Sequence, residues 1–287
     1  MENVALFALD IGPSVEILKP KALGSLPSDT ATPKGRPMTR QRRRIAYLCL
    51  AASLALMALA AGSARAADPA WMVNGANINA TLLPSVAIKE IEPLPGTGTR
   101  HLVLLTKVVG LEVGLLCTTM TLVEPALKAE GKSLGKGRFT GCRWVIYLEG
   151  KGEEELKGCS VKSETEAAGV IQTRLLKDQL VLHTFAGGAT VGLDRIEPEE
   201  GIIIANLKTT GECSLPEALT LNGVLYVEDC NAELQQERET HLFIQGPLTS
   251  LWLGKDTVEH LETSIDGSVV ALLAGAHAGM TWSGLPG

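Results

Sequence analysis

Cysteine and histidine are the residues in this chain best suited to covalent or metal chemistry, and there are six of the first and five of the second. Cys117, Cys142, Cys159, Cys213 and Cys230 lie on or beside short apolar runs broken by Gly, Lys and Glu clusters, while Cys49 sits in a long apolar stretch nearer the N-terminus. In an oxidising compartment such cysteines cross-link rather than catalyse. Two bridges among five cysteines leave one thiol over, and spacing alone does not set the connectivity. Pairing neighbours along the chain joins Cys142 to Cys159 and Cys213 to Cys230. Each loop would then be shorter than about 20 residues, contributing about 3 kcal/mol through loop entropy. Cys117 would be the free thiol, buried in the run Val113 to Cys117.

The histidines are His101, His183, His241, His260 and His277, and no two share the i, i+4 spacing that pairs imidazoles on one helix face. Glu259-His260-Leu261-Glu262 is the densest ligand-like group. On a strand His260 and Glu262 share a face, an arrangement that a surface ion pair explains equally well, so no metal is expected. No G-x-S-x-G string occurs, and no catalytic residue is assigned. Residues Ala126 to Ser133 spell ALKAEGKS, close to a phosphate-binding loop. A working loop of that kind opens a helix. The LGKGRFTG that follows cannot start one, which leaves a Lys-rich hairpin loop and no nucleotide cofactor. Glu153 to Glu155, next to glycine, read as a solvated loop tip.

The segment from Met38 supplies a compartment. Arg40, Arg42, Arg43 and Arg44 precede an apolar run from Ile45 to Gly62, followed by Ala64-Arg65-Ala66. That order is a secretory signal over residues 38–66, with cleavage expected after Ala66. Residues 1–37 are then a disordered leader, or Met38 is the true start. An uncleaved run would just reach spanning length and anchor the chain to a membrane, the sole membrane contact expected. Either way residues 67–287 face a periplasm, a cell envelope or the outside. Residues 1–66 hold nine of 26 basic and four of 32 acidic side chains, so the remainder has 17 against 28, a net charge of −11. Phosphate binding needs a positive surface, so nucleic acid is not expected as a partner.

Apolar, β-branched runs recur about every ten residues from Val86 to Leu273, separated by Gly or charge clusters. The pattern predicts strands at Arg138 to Leu148, Leu180 to Phe185, Ile202 to Lys208, Leu219 to Glu228 and Ser264 to Leu273, among others. Helix candidates are few: Asn231 to Thr240 and Lys255 to Thr263 have room for a single turn. The expected fold is all-β: one antiparallel sandwich or partly open barrel over residues 67–287, stapled by disulfides.

With Trp71-Met-Val-Asn-Gly75, the spaced cysteines and the terminal GAHAGMTWSG from Gly275 to Gly284, residues 67–287 resemble a group of exported bacterial β-rich proteins with no assigned activity. The resemblance implies export and a β-rich fold and carries over no site residue. The function expected is therefore a non-catalytic exported domain acting by surface contact with a protein or envelope partner. The alternatives are a secreted hydrolase built on His183, His241 or His260 with nearby hydroxyls or carboxylates, and a metal-binding module.

Overall fold

The computed structural model describes residues 68–79, 83–92, 101–108, 110–148, 152–185, 188, 190–229, 236–244, 248–254 and 260–285. The leader, the signal segment with Ala66, Cys230, Glu259 and the first halves of both helix candidates lie outside the described residues.

Alternating and continuous apolar runs fold as extended chain. The first ten strands are β1 (Ala70–Val73), β2 (Ala76–Asn77), β3 (Ser85–Ile91), β4 (Leu102–Val108), β5 (Leu111–Cys117), β6 (Thr119–Lys128), β7 (Lys132–Thr140), β8 (Arg143–Leu148), β9 (Gly152–Glu155) and β10 (Cys159–Lys162). Ten more follow: β11 (Ile171–Gln172), β12 (Leu176–Thr184), β13 (Thr190–Pro198), β14 (Ile203–Gly211), β15 (Ala218–Asp229), β16 (Arg238–Phe243), β17 (Ser250–Gly254), β18 (Leu261–Asp266), β19 (Ser268–Ala274) and β20 (Trp282–Leu285). The only helical piece among the described residues is a 3-10 turn at Gly275–His277.

The Lys-rich hairpin loop forms as expected, while other expected elements change shape. The ALKAEGKS string closes a hairpin between β6 and β7, turning at Glu130 (φ 61°) and Gly131 (φ 65°). Arg138 to Leu148 is two strands, broken at Gly141 and Cys142, and Ser264 to Leu273 is two strands broken at Gly267. Glu153 to Glu155 form the exposed edge strand β9, because their backbone pairs with Val145–Tyr147 whatever their charge.

Every strand pair is antiparallel, and 17 strands join in one continuous sheet that folds over into two layers. The first layer runs β3, β19, β16, the C-terminal half of β15, β13, β12, β7, β6, with the short β11 beside β12 on the same edge of β7. The second runs β10, β14, the N-terminal half of β15, β17, β18, β4, β5, β8, β9. β15 belongs to both, and it crosses between them at Gly223. That residue has φ 118°, and a Cβ there would stand 1.8 Å from the Ser250 carbonyl oxygen. Only glycine permits so close a backbone approach in that conformation. Strands that pass from one sheet to the other at corners are how two facing sheets share one core. The main core accordingly draws on both layers, with Leu115 and Trp144 from the second facing Val227 and Phe243 from the first. The Leu127 N–H donates to the Pro84 carbonyl at 2.9 Å, which draws the β6 and β3 edges of the first layer together.

The disulfides pin the corners, and they are not the ones that proximity along the chain suggested. Cys117 bonds Cys142, and Cys159 bonds Cys213. Cys117 ends β5 and Cys142 precedes β8, at the place where β5 runs on into β6 and β7 into β8. Thr118 N–H to Thr140 carbonyl, 3.1 Å, holds the same corner. Cys117 is thus buried as expected but is not a free thiol. Cys159 opens β10 opposite Gly211 of β14, and Cys213 lies just past that strand. Antiparallel pairing brings distant segments side by side, and this outweighs the short loops that suggested Cys142 with Cys159 and Cys213 with Cys230.

A third sheet, β2-β1-β20, covers the far end of the first layer. Trp71 of β1 and Trp282 of β20 are almost wholly buried, with ring centroids 5.8 Å apart. They join Val86, Leu127, Leu180 and Leu273 in a second apolar cluster. The Trp71 indole N–H finds the Lys132 carbonyl at 2.9 Å, so this large ring is buried with its polar edge satisfied. No helix among the described residues is long and apolar enough to cross a membrane.

Candidate functional site

Four of the five histidines sit apart. His101 is buried at the start of β4, and that burial holds its pKa below the ordinary value. His183, near the end of β12, packs edge-on against Phe185. His260 stacks on Trp252 with centroids 5.0 Å apart and borders a polar groove with Lys107, Glu112 and Glu262. His277 lies in the 3-10 turn. Among the described residues no three His, Cys, Asp or Glu side chains converge as a metal site would need.

His241 is different because β16 alternates strictly. Glu239, His241 and Phe243 are buried while Arg238, Thr240 and Leu242 face outward. Its imidazole therefore enters the interior, where Nδ1 stands 3.6 Å from Asp194 Oδ2, within ion-pair range but too long for a hydrogen bond. The rings of His241 and Trp282 have centroids 5.7 Å apart.

Register brings the other members in. On β13, Asp194 lies between Leu180 of β12 and Val227 of β15, both core residues, so its carboxylate points where an apolar side chain would be ordinary. Asp178 of β12 faces Ile196, two residues from Asp194 on the same strand, which makes the two aspartates diagonal neighbours on one face. Opposite Asp178 across the β7–β12 pair is Ser133, whose hydroxyl donates to Asp178 Oδ2 at 2.5 Å. The other oxygen, Oδ1, is closed off from solvent and has no hydrogen-bond partner among the described residues. Asp178 as a residue keeps some accessible surface, but its carboxyl group is enclosed. Enclosure first, and the nearby Asp194 charge second, push its pKa up to about 7, against the opposing pull of the Ser133 hydrogen bond and His241.

These groups border a cavity of about 200 Å³ between the layers, reaching from the main core to the tryptophan cluster. Its walls are mostly apolar, among them Ile88, Leu104, Met120, Phe139, Leu225 and Val269. Trp282 also lines it, and its indole N–H has no acceptor among the described residues. A Ser-His-Asp relay needs the hydroxyl to donate to the imidazole. Here Ser133 donates to Asp178 instead, so the arrangement is a buried polar patch on an apolar chamber.

Sequence reasoning named His241 as one of three candidate bases and met Ser133 only inside a phosphate-loop string. It missed Asp178, Asp194 and Trp282. The available signal was a carboxylate inside each of two strand-like stretches, LKDQLVLHT and TVGLDRIEP. The structure brings neither His183 nor His260 to this chamber.

Fold and site together define an antiparallel β-sandwich, stapled at its corners, around an apolar chamber with an acidic wall. No protein family, curated protein or solved structure matches the chain.

Proposed function

We propose that residues 67–287 act outside the cytoplasm as a non-catalytic domain that holds a small apolar molecule between its layers. The carrying observation is the chamber of about 200 Å³ walled by apolar side chains. Protein interiors are normally packed to crystal-like density. An apolar void of about 150 Å³ stays dry and takes up benzene, so a space of this size suits one ring or a short alkyl chain. Two disulfides support the extracytoplasmic setting, since such bridges persist in oxidising compartments. Collection or delivery of the bound molecule would be the contact with a protein or envelope partner that the sequence suggests.

The test is titration of the oxidised domain with toluene, followed by calorimetry and by the fluorescence of the cavity-lining Trp71 and Trp282. Saturable binding at one site is expected, weakened when Ala271→Phe fills part of the chamber. Absence of saturable binding by a folded domain would sink the reading.

The secreted-hydrolase alternative draws on one observation, His241 beside Asp194 inside a cavity. It expects a fluorophosphonate to label Ser133, with the labelling lost in His241→Ala. The carrier reading expects no labelling.

A further inference from the structure

We propose that the chamber selects, among small apolar molecules, those bearing one ammonium group, and that the cation docks on Asp178 Oδ1 beside Asp194. This rests on the carrier reading above and adds the chemistry of the ligand's head. Asp178, which lines the chamber, spends one oxygen on the Ser133 hydroxyl, and the other is closed off from solvent with no hydrogen-bond partner among the described residues. A buried acceptor left unmade costs about 1 to 3 kcal/mol, and more when the group is charged. A donor arriving with a bound molecule would recover that cost.

The charges in reach say which kind of donor suits. Asp194 lies diagonally across from Asp178 on the same face, and Glu239 precedes His241 by two residues on the inward face of β16. Lys136 and Lys177 also line the chamber, but each ammonium group is paired with a glutamate, Lys136 with Glu124 at 3.9 Å and Lys177 with Glu197 at 3.3 Å, and Lys132 pairs with Glu130. His241 stands beside Asp194, and its charge also acts on Asp178. Two carboxylates against one imidazole leave the wall acidic, and an ammonium group offers both the donor and the charge. Charge-assisted bonds of this type are roughly twice as strong as neutral ones. A carboxylate or phosphate head would meet like charge, and a wholly apolar ligand would leave Oδ1 unmade.

The body of the ligand is set by the rest of the chamber. Phe139, Met120, Leu225 and the Trp71 and Trp282 rings offer apolar contact and no counter-charge. Trp and Tyr faces also attract cations. Because the Asp178 carboxyl keeps its proton up to near neutral pH, an incoming ammonium would displace that proton rather than add to an existing ion pair. Binding of the cation should therefore release protons, and binding of a neutral analogue should not.

The experiment compares three probes of one shape, benzylamine, benzyl alcohol and toluene, by calorimetry on the oxidised domain and on Asp178→Asn. Benzylamine is expected to bind about tenfold more tightly than toluene, and the ratio of the two affinities to fall to about one in Asp178→Asn. Repeating the wild-type benzylamine titration near pH 7 in buffers of different ionisation enthalpy should show proton release, a readout that needs no variant to fold. Toluene and benzyl alcohol binding as well as benzylamine, or a benzylamine margin that survives Asp178→Asn, would overturn this inference and leave the carrier reading standing. Benzylamine binding without proton release would likewise overturn it. If none of the three binds, the carrier reading falls and this inference with it.

Discussion

Ser133 and Asp178 face each other across the β7–β12 pair, and the serine hydroxyl donates to Asp178 Oδ2 at 2.5 Å. One hydrogen bond and one unmet oxygen describe a carboxyl held in place but not fully satisfied. Such a group is stable in its neutral form and costly in its charged form.

A pH dependence follows from this. The Asp178 carboxyl titrates near 3.8 when unperturbed and near 7 in the folded chain. Between those values the native state holds a proton that the unfolded state has lost, so stability falls as pH rises. This contribution is full below about pH 4 and gone above about pH 7. Urea unfolding at pH 5 and pH 8 should show it, and Asp178→Asn, which keeps an acceptor for Ser133, should raise stability at pH 8 by about 1 to 3 kcal/mol. Equal effects of the variant at both pH values would contradict the assignment.

The bridges make a second prediction. Cys117–Cys142 spans 25 residues and Cys159–Cys213 spans 54. Loop entropy then assigns them about 3.5 and 4 kcal/mol. Non-reducing peptide mapping should recover these two links. Replacing either pair with serines should lower the unfolding free energy by that order. Recovery of a Cys142–Cys159 peptide in place of the first link would show that the corner is built differently.

At Gly223 the chain should tolerate no side chain. Gly223→Ala adds a Cβ against the Ser250 carbonyl at φ 118°, and the loss should exceed about 3 kcal/mol because both the layer crossing and the β15–β17 pairing must shift. Circular dichroism and urea melts of this variant, beside Gly201→Ala, where nothing lies near the added carbon, separate close approach from backbone strain.

The third sheet should be fastened chiefly by its tryptophans. Trp282→Ala empties a nearly inaccessible site and should cost about 3 to 5 kcal/mol. Trp71→Phe keeps most of the ring but abandons the Lys132 carbonyl, at about 1 to 2 kcal/mol. Thermal melts read both, and a larger loss for Trp71→Phe than for Trp282→Ala would refute this view of how the sheet docks.

The fold class was legible because strand formation is written in local pattern. SVVALLA is nearly continuous and reads as strand without knowledge of its neighbours, whereas RETHLF reads as strand only from His241, because the polar Arg238 to Thr240 look like a single turn and the structure extends the strand through them. The breaks at Gly141 and Gly267 were harder, since a corner between layers looks in sequence like one more glycine in a long strand. The site was less legible still. Asp178 and Asp194 are 16 positions apart and unremarkable alone, and their meeting depends on a register in which Asp194 faces Leu180 and Asp178 faces Ile196. A slip of one residue between β12 and β13 would put the two carboxylates on opposite faces.

By itself, the order of residues determined the strand-rich character of residues 67–287, the lack of room for long helices there, and the acidic balance of the surface. These depend on the period of apolar side chains and on composition, which act over a few neighbours. Only the tertiary structure decided that Cys117 meets Cys142, that β15 serves both layers, and that His241 and two aspartates border an apolar chamber. Those meetings join segments far apart in the chain, and nothing local distinguishes the register that makes them from the ones that do not.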